Sequence, residues 1–127
     1  MKNHVKSIGQ IAIAVSDIKR ATTFYRDTLG LDFLFDAPPN LAFFNCGGIR
    51  LMLTEKAGEA SDHTTSTIYY KVDDIDAATK SLKEKSVEFI QEPQLVAKMP
   101  DHELWMGFIR DSEKNLIGIM AELGLDD

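Results

Sequence analysis

The side chains able to do chemistry in this sequence sit on short alternating segments, so the face each one occupies decides what it meets. Period-two alternation assigns Gln10, Arg50, Met52, Thr67, Tyr69, Lys71, Glu103, Trp105 and Glu122 to one inward-facing set. The small or soft residues Ala12, Ala14, Thr54, Gly107, Gly118 and Met120 lie between them. Apolar walls with a few placed polar groups are what small-molecule pockets use. Gln10, Arg50, Met52, Thr67, Tyr69, Lys71 and Trp105 are therefore the candidate ligand-binding residues. Arg50 and Lys71 suit an anionic substrate group, or else they pair with Glu103 and Glu122 at the rim. Tyr69 and Trp105 stack on a planar ligand or fill an apolar interface. Gln10 is an inward amide on an otherwise apolar strand and needs a partner.

Three residues are candidates for proton transfer: Glu103, Glu122 and His102. The carboxylates serve as acid or base if desolvation raises their pKa; solvated, they are ordinary surface groups. His102 lies in the segment Met99-Pro100-Asp101-His102-Glu103-Leu104-Trp105, read as the end of a loop entering a strand. It is a base, a metal ligand or a solvated loop histidine. His4 and His63 read as surface residues, and Cys46 has no visible base to make it a nucleophile. Met52, Met106 and Met120 read as core or soft lining.

The elements that must position these groups are legible from punctuation. Ile8 to Val15 alternates as a strand, Ser16 or Asp17 offers a helix cap, and a helix runs from Ile18 to Leu29 with Gly30 as its left-handed stop. Three strands follow, Leu31–Phe35, Leu41–Asn45 and Ile49–Glu55, separated by a Pro38-Pro39-Asn40 turn and a Gly47-Gly48 hairpin. After a polar linker over 56–66 the order begins again: strand Thr67–Val72, caps Asp73-Asp74, helix Ile75 to about Lys85, strand Val87–Ile90. A long connection from Glu92-Pro93 through Pro100 then leads to strands Glu103–Arg110 and Leu116–Ala121. An offset of 57 residues lays Ile11 on Ile68, Val15 on Val72, Asp17 on Asp74, Ile18 on Ile75 and Ala21 on Ala78. The reading is an α+β protein: one domain over 1–127 made of two repeated βαβββ modules, 8–55 and 67–122, curving mixed sheets around a cleft.

Composition narrows the partners. The chain has 127 residues and a net charge of −6, against the basic face that nucleic acid or an anionic membrane needs. One cysteine excludes a disulfide within the chain, and no stretch approaches the about 18 apolar residues of a membrane helix. A polar Met1–Ile8 without a signal-peptide run points to a cytoplasmic setting.

The pattern resembles the vicinal oxygen chelate superfamily: glyoxalase I, bleomycin-resistance proteins, extradiol dioxygenases and methylmalonyl-CoA epimerases. The resemblance rests on Val15-Ser16-Asp17-Ile18, on Phe24-Tyr25-Arg26-Asp27-Thr28-Leu29-Gly30-Leu31 and on Val72-Asp73-Asp74-Ile75. It rests also on Phe108 to Ile117, which is similar to the family's Phe-x-Asp-Pro-Asp-Gly-Asn-x-x-Glu ending. It implies a divalent metal held by His or Glu on the first and fourth strand of each half, chelating two neighbouring substrate oxygens. Carried over by position, those ligands fall on Gln10, Met52, Thr67 and Gly118. Thioether, lone hydroxyl and hydrogen are poor ligands for such cations, so no metal ligand and no cofactor is assigned. The expected function is binding of a small organic molecule in the cleft by a homodimer. The alternative is a metal-dependent lyase, isomerase or dioxygenase using Zn, Ni, Mn or Fe from a rearranged set of Gln10, Glu103, Glu122 or His102.

Overall fold

The computed structural model describes residues 7–55 and 66–124, so His4, His63 and nearly all of the expected linker lie outside the described residues. The chain divides between Thr65 and Ser66 into two compact units.

In the first unit, β1 (Gln10–Val15) leads into α1 (Ile18–Thr23), followed by β2 (Asp32–Ala37), β3 (Leu41–Cys46) and β4 (Ile49–Glu55). Their order across the sheet is β1-β4-β3-β2, with β1 parallel to β4 and the other pairs antiparallel. Asp17 caps α1, its Oδ1 accepting from the Arg20 N–H at 3.1 Å. Glu55 at the end of β4 also takes the Ile18 N–H at 2.9 Å. The expected single helix is instead α1 followed by one π-helical turn, Phe24–Thr28, in which the Leu29 N–H reaches back to the Phe24 carbonyl at 2.9 Å. Gly30, at φ 78°, ends it as expected. Tyr25 from this turn packs on Phe44 of β3, both buried, so the helix covers the face of Ile13, Val15, Ala42, Phe44, Leu51 and Leu53.

The second unit repeats the plan: β5 (Ile68–Lys71), α2 (Ile75–Glu84), β6 (Phe89–Lys98), β7 (His102–Arg110) and β8 (Leu116–Gly124), ordered β5-β8-β7-β6. Asp74 caps α2 through the Ala77 N–H at 3.0 Å. Lys83 of α2 lies over the Phe89 ring, and Phe89 pairs with Ile109. The helix therefore covers the face of Ile109, Ile117, Ile119 and Ala121, all buried. The fold is α+β, with two βαβββ modules each forming a four-stranded mixed sheet.

The long connection expected after Ile90 is a correction: β6 continues through Pro93 to Lys98. An outermost strand tolerates proline because its outward N–H has no ladder partner to lose, and the register shifts between Gln91 and Gln94 absorb the irregularity. His102 consequently opens β7 and is not a loop residue.

Candidate functional site

Each sheet leaves one face without a helix, and the candidate side chains divide between these two faces. On the first sheet the ladder pairs Gln10 with Arg50, Ala12 with Met52, Met52 with Phe43 and Phe43 with Phe35, so all share the helix-free side. The Arg50 Nε–H donates to Gln10 Oε1 at 2.7 Å, and Gln10 Nε2 donates weakly to Met52 Sδ at 3.6 Å. The Arg50 guanidinium lies 5.7 Å from the Phe43 ring centre, and Phe43 stacks on Phe35 at 4.7 Å. Gln10 thus has the partner that its position demanded, and that partner is a cation.

On the second sheet, Tyr69 and Lys71 share their face with Gly118, Met120, Phe108, Met106 and Glu122. Tyr69 meets Phe108 edge to face at 5.7 Å. Lys71 Nζ donates to Glu122 Oε1 at 2.9 Å. The hydrogen bond from Lys71 holds the Glu122 carboxyl below the usual glutamate range, and Glu122 raises the Lys71 ammonium in return. His102 Nδ1 lies 2.7 Å from Asp101 Oδ1. An ionised carboxylate only accepts, so Nδ1 carries the proton, and this bond holds Asp101 below its ordinary range. The other ring nitrogen faces Glu122 Oε2 at 3.8 Å. Of the proton-transfer candidates, His102 and Glu122 come together.

Glu103 and Trp105 do not join them, which corrects the sequence reading. Trp105 pairs with Ala121, and Gly107 with Ile119, so Glu103, Trp105 and Gly107 point to the helix side, where Trp105 Nε1 donates to Glu103 Oε1 at 3.2 Å. The cause is that β7 carries apolar residues on both faces, Leu104, Met106 and Phe108 against Trp105 and Ile109, so its alternation leaves the side undecided. Thr67 is exposed and precedes β5. Phe35, Phe43 and Phe108 were missed. Counting back from the Gly47-Gly48 hairpin places Phe43 opposite Met52, and the apolar alternation of Ile117, Ile119 and Ala121 would have put Phe108 with Gly118.

The four positions at which the resemblance expects metal ligands do not fit a divalent cation. The Gln10 carbonyl oxygen is committed to a guanidinium, whose charge repels a metal. A Cβ added at Gly118 would lie 2.4 Å from Tyr69 Cδ2, so the Tyr69 ring fills the space that a side chain at 118 needs. Met52 offers a thioether and Thr67 one hydroxyl. Among the described residues no group of three or more His, Cys, Asp or Glu gathers to hold a metal. Nor is any helix among them long and apolar enough to cross a membrane.

Comparison with known proteins agrees with this architecture. Metallothiol transferase FosB of Staphylococcus haemolyticus is 44% identical over 52 residues, a match spanning 41% of this chain and only 37% of that protein. The crystal structure of lactoylglutathione lyase from Agrobacterium tumefaciens superposes with a TM-score of 0.71 at 20% identity, over 94% of this chain and 96% of that one. TnmS3, an antibiotic binding protein from Streptomyces sp. CB03234, gives 0.72 at 23% identity, over 95% and 99%. The family model for the Glyoxalase/Bleomycin resistance protein/Dioxygenase superfamily matches residues 7–117, and with nearly the whole chain so matched, this protein belongs to that superfamily.

Proposed function

We propose that this chain binds a small organic molecule without a metal, on the helix-free faces that carry Gln10, Arg50 and Met52 in one unit and Tyr69 and Lys71 in the other. Thr67, just ahead of β5, stays within the proposed set; Trp105 leaves it. The observation that carries the reading is the donor set. Arg50 occupies the Gln10 oxygen, and the Tyr69 ring occupies the space above Gly118. An arrangement that places a fixed cation and aromatic surface where ligands for a cation would be needed suits an organic ligand. The solved relative named as an antibiotic binding protein is in keeping with it. We place the protein in the cytoplasm as a homodimer.

The test is metal analysis of untagged protein, together with mass spectrometry of the small molecules that co-purify. We expect an organic ligand, less than one equivalent of Zn, Ni, Mn or Fe, and a melting temperature unmoved by EDTA. A stoichiometric metal that survives dialysis would overturn the reading. It would favour the second one, a metal-dependent lyase, isomerase or dioxygenase, for which His102 Nε2 and Glu122 Oε2 face each other 3.8 Å apart.

A further inference from the structure

We infer that the helix-free face of the first sheet takes a planar aromatic carboxylate, its ring against Phe35 and Phe43 and its carboxylate on the Arg50 fork. The inference rests on the binding reading above and names the ligand class.

Among the described residues the strand registers put three cations on the helix-free faces: Arg50 alone on the first sheet, and Lys71 and Arg110 on the second, where Arg110 donates to the Lys114 carbonyl at 3.1 Å. Lys71 already donates to Glu122 at 2.9 Å. Arg50 is held by a neutral amide, and among the described residues no carboxylate lies within ion-pair distance of it. Its Nε is spent on Gln10, which leaves the two terminal nitrogens. Two parallel N–H donors match the two oxygens of a carboxylate. Gln10 is itself tethered to Met52 Sδ at 3.6 Å, so the fork is oriented before a ligand arrives and loses less freedom on binding.

The surroundings choose what the carboxylate is attached to. Beside Arg50 runs an aromatic ridge: Phe43 at 5.7 Å from the guanidinium, then Phe35 stacked on it at 4.7 Å and half exposed. Exposed aromatic surface next to a charge is covered best by a flat ring, which gains ring–ring contact in addition to area. The single cation sets the charge. One arginine neutralises one negative charge, so a monoanionic carboxylate fits better than a phosphate monoester, whose second charge would lack a partner.

The experiment is isothermal titration of the intact chain with three probes: 2-naphthoate, the neutral 2-naphthamide and the aliphatic hexanoate. We expect 2-naphthoate to bind about tenfold or more tightly than either of the others, since each lacks one half of the recognition. Arg50→Gln should weaken 2-naphthoate by about tenfold and leave 2-naphthamide unchanged, and Arg50→Lys should recover part of the loss. Phe35→Ser should weaken 2-naphthoate and leave hexanoate unchanged. Circular dichroism of each variant confirms the fold. Equal affinity for 2-naphthoate and 2-naphthamide, or no effect of Arg50→Gln, overturns the inference. If no probe binds while another molecule co-purifies, the ligand class is wrong and the binding reading stands; if nothing binds at all, both fall. If Phe35→Asp converts a dimer to a monomer without changing 2-naphthoate affinity, a second copy covers the ridge and the inference is wrong.

Discussion

Position 118 shows how much one missing side chain decides. Glycine fits there because the Tyr69 ring lies against the strand, within 3.0 Å of any Cβ at three ring atoms, and a larger residue must displace that ring. We expect Gly118→Ala to cost about 1–3 kcal/mol in chemical denaturation, the range for overpacking a filled site. In a Tyr69→Ala background the cost should vanish, and equal costs in both backgrounds would show that the ring is not the cause. The Lys71–Glu122 pair makes a second test at this scale. Glu122 has its pKa lowered on folding, so its contribution is present above the ordinary glutamate range and lost as pH falls through the depressed value. Lys71 is raised, so its contribution is present below the ordinary lysine range and lost as pH rises through the elevated value. Both groups are substantially exposed to solvent, so the effect is small and screened by salt. Melting curves between about pH 3 and pH 7 should be flatter for Glu122→Gln than for the parent. The sequence put Gln10, Arg50 and Met52 on one face, because β1 and β4 alternate cleanly, but left open that Arg50 is the partner of Gln10. It misplaced Trp105 because nothing in Leu104-Trp105-Met106 distinguishes the faces.

Among the elements, β6 is the one whose length the sequence hid: the strand expected over Val87–Ile90 runs from Phe89 to Lys98. Proline and the glutamines around it read as a break, yet an outermost strand keeps its place through one ladder alone. The strand folds over Gly107, where an added Cβ would meet the Pro93 nitrogen at 2.9 Å and the Gln91 oxygen at 3.0 Å. Backbone cannot step aside as a ring can. Gly107→Ala should therefore cost more than Gly118→Ala, about 2 kcal/mol or above, and no single side-chain truncation should rescue it. The helices were legible because their caps are local: Asp17 and Asp74 bond to N–H groups three residues on. Asp17→Ala and Asp74→Ala should each lower stability by about 1 kcal/mol, and Asp17→Ala the less, because Glu55 still holds the Ile18 N–H. The π-helical turn was not legible, since one extra residue per turn leaves apolar spacing nearly unchanged over five residues.

Over the whole molecule, the repeat in sequence became a repeat in strand order, β1-β4-β3-β2 and β5-β8-β7-β6. That much follows from Ile11, Asp17 and Ile18 recurring as Ile68, Asp74 and Ile75. Each sheet has an outermost strand with exposed apolar residues: Phe33 and Leu34 on β2, and Ile90, Leu95 and Val96 on β6. Apolar outer strands invite pairing with another chain. We expect sedimentation equilibrium to find a dimer that Val96→Lys shifts toward monomer, and an unchanged monomeric mass for the parent would remove β6 from consideration. The tyrosine over Gly118 also sets an order on substitution. Any residue larger than glycine at 118 meets an occupied ring, so it is accommodated only once Tyr69 has swung aside or been replaced, and the two positions vary as a couple.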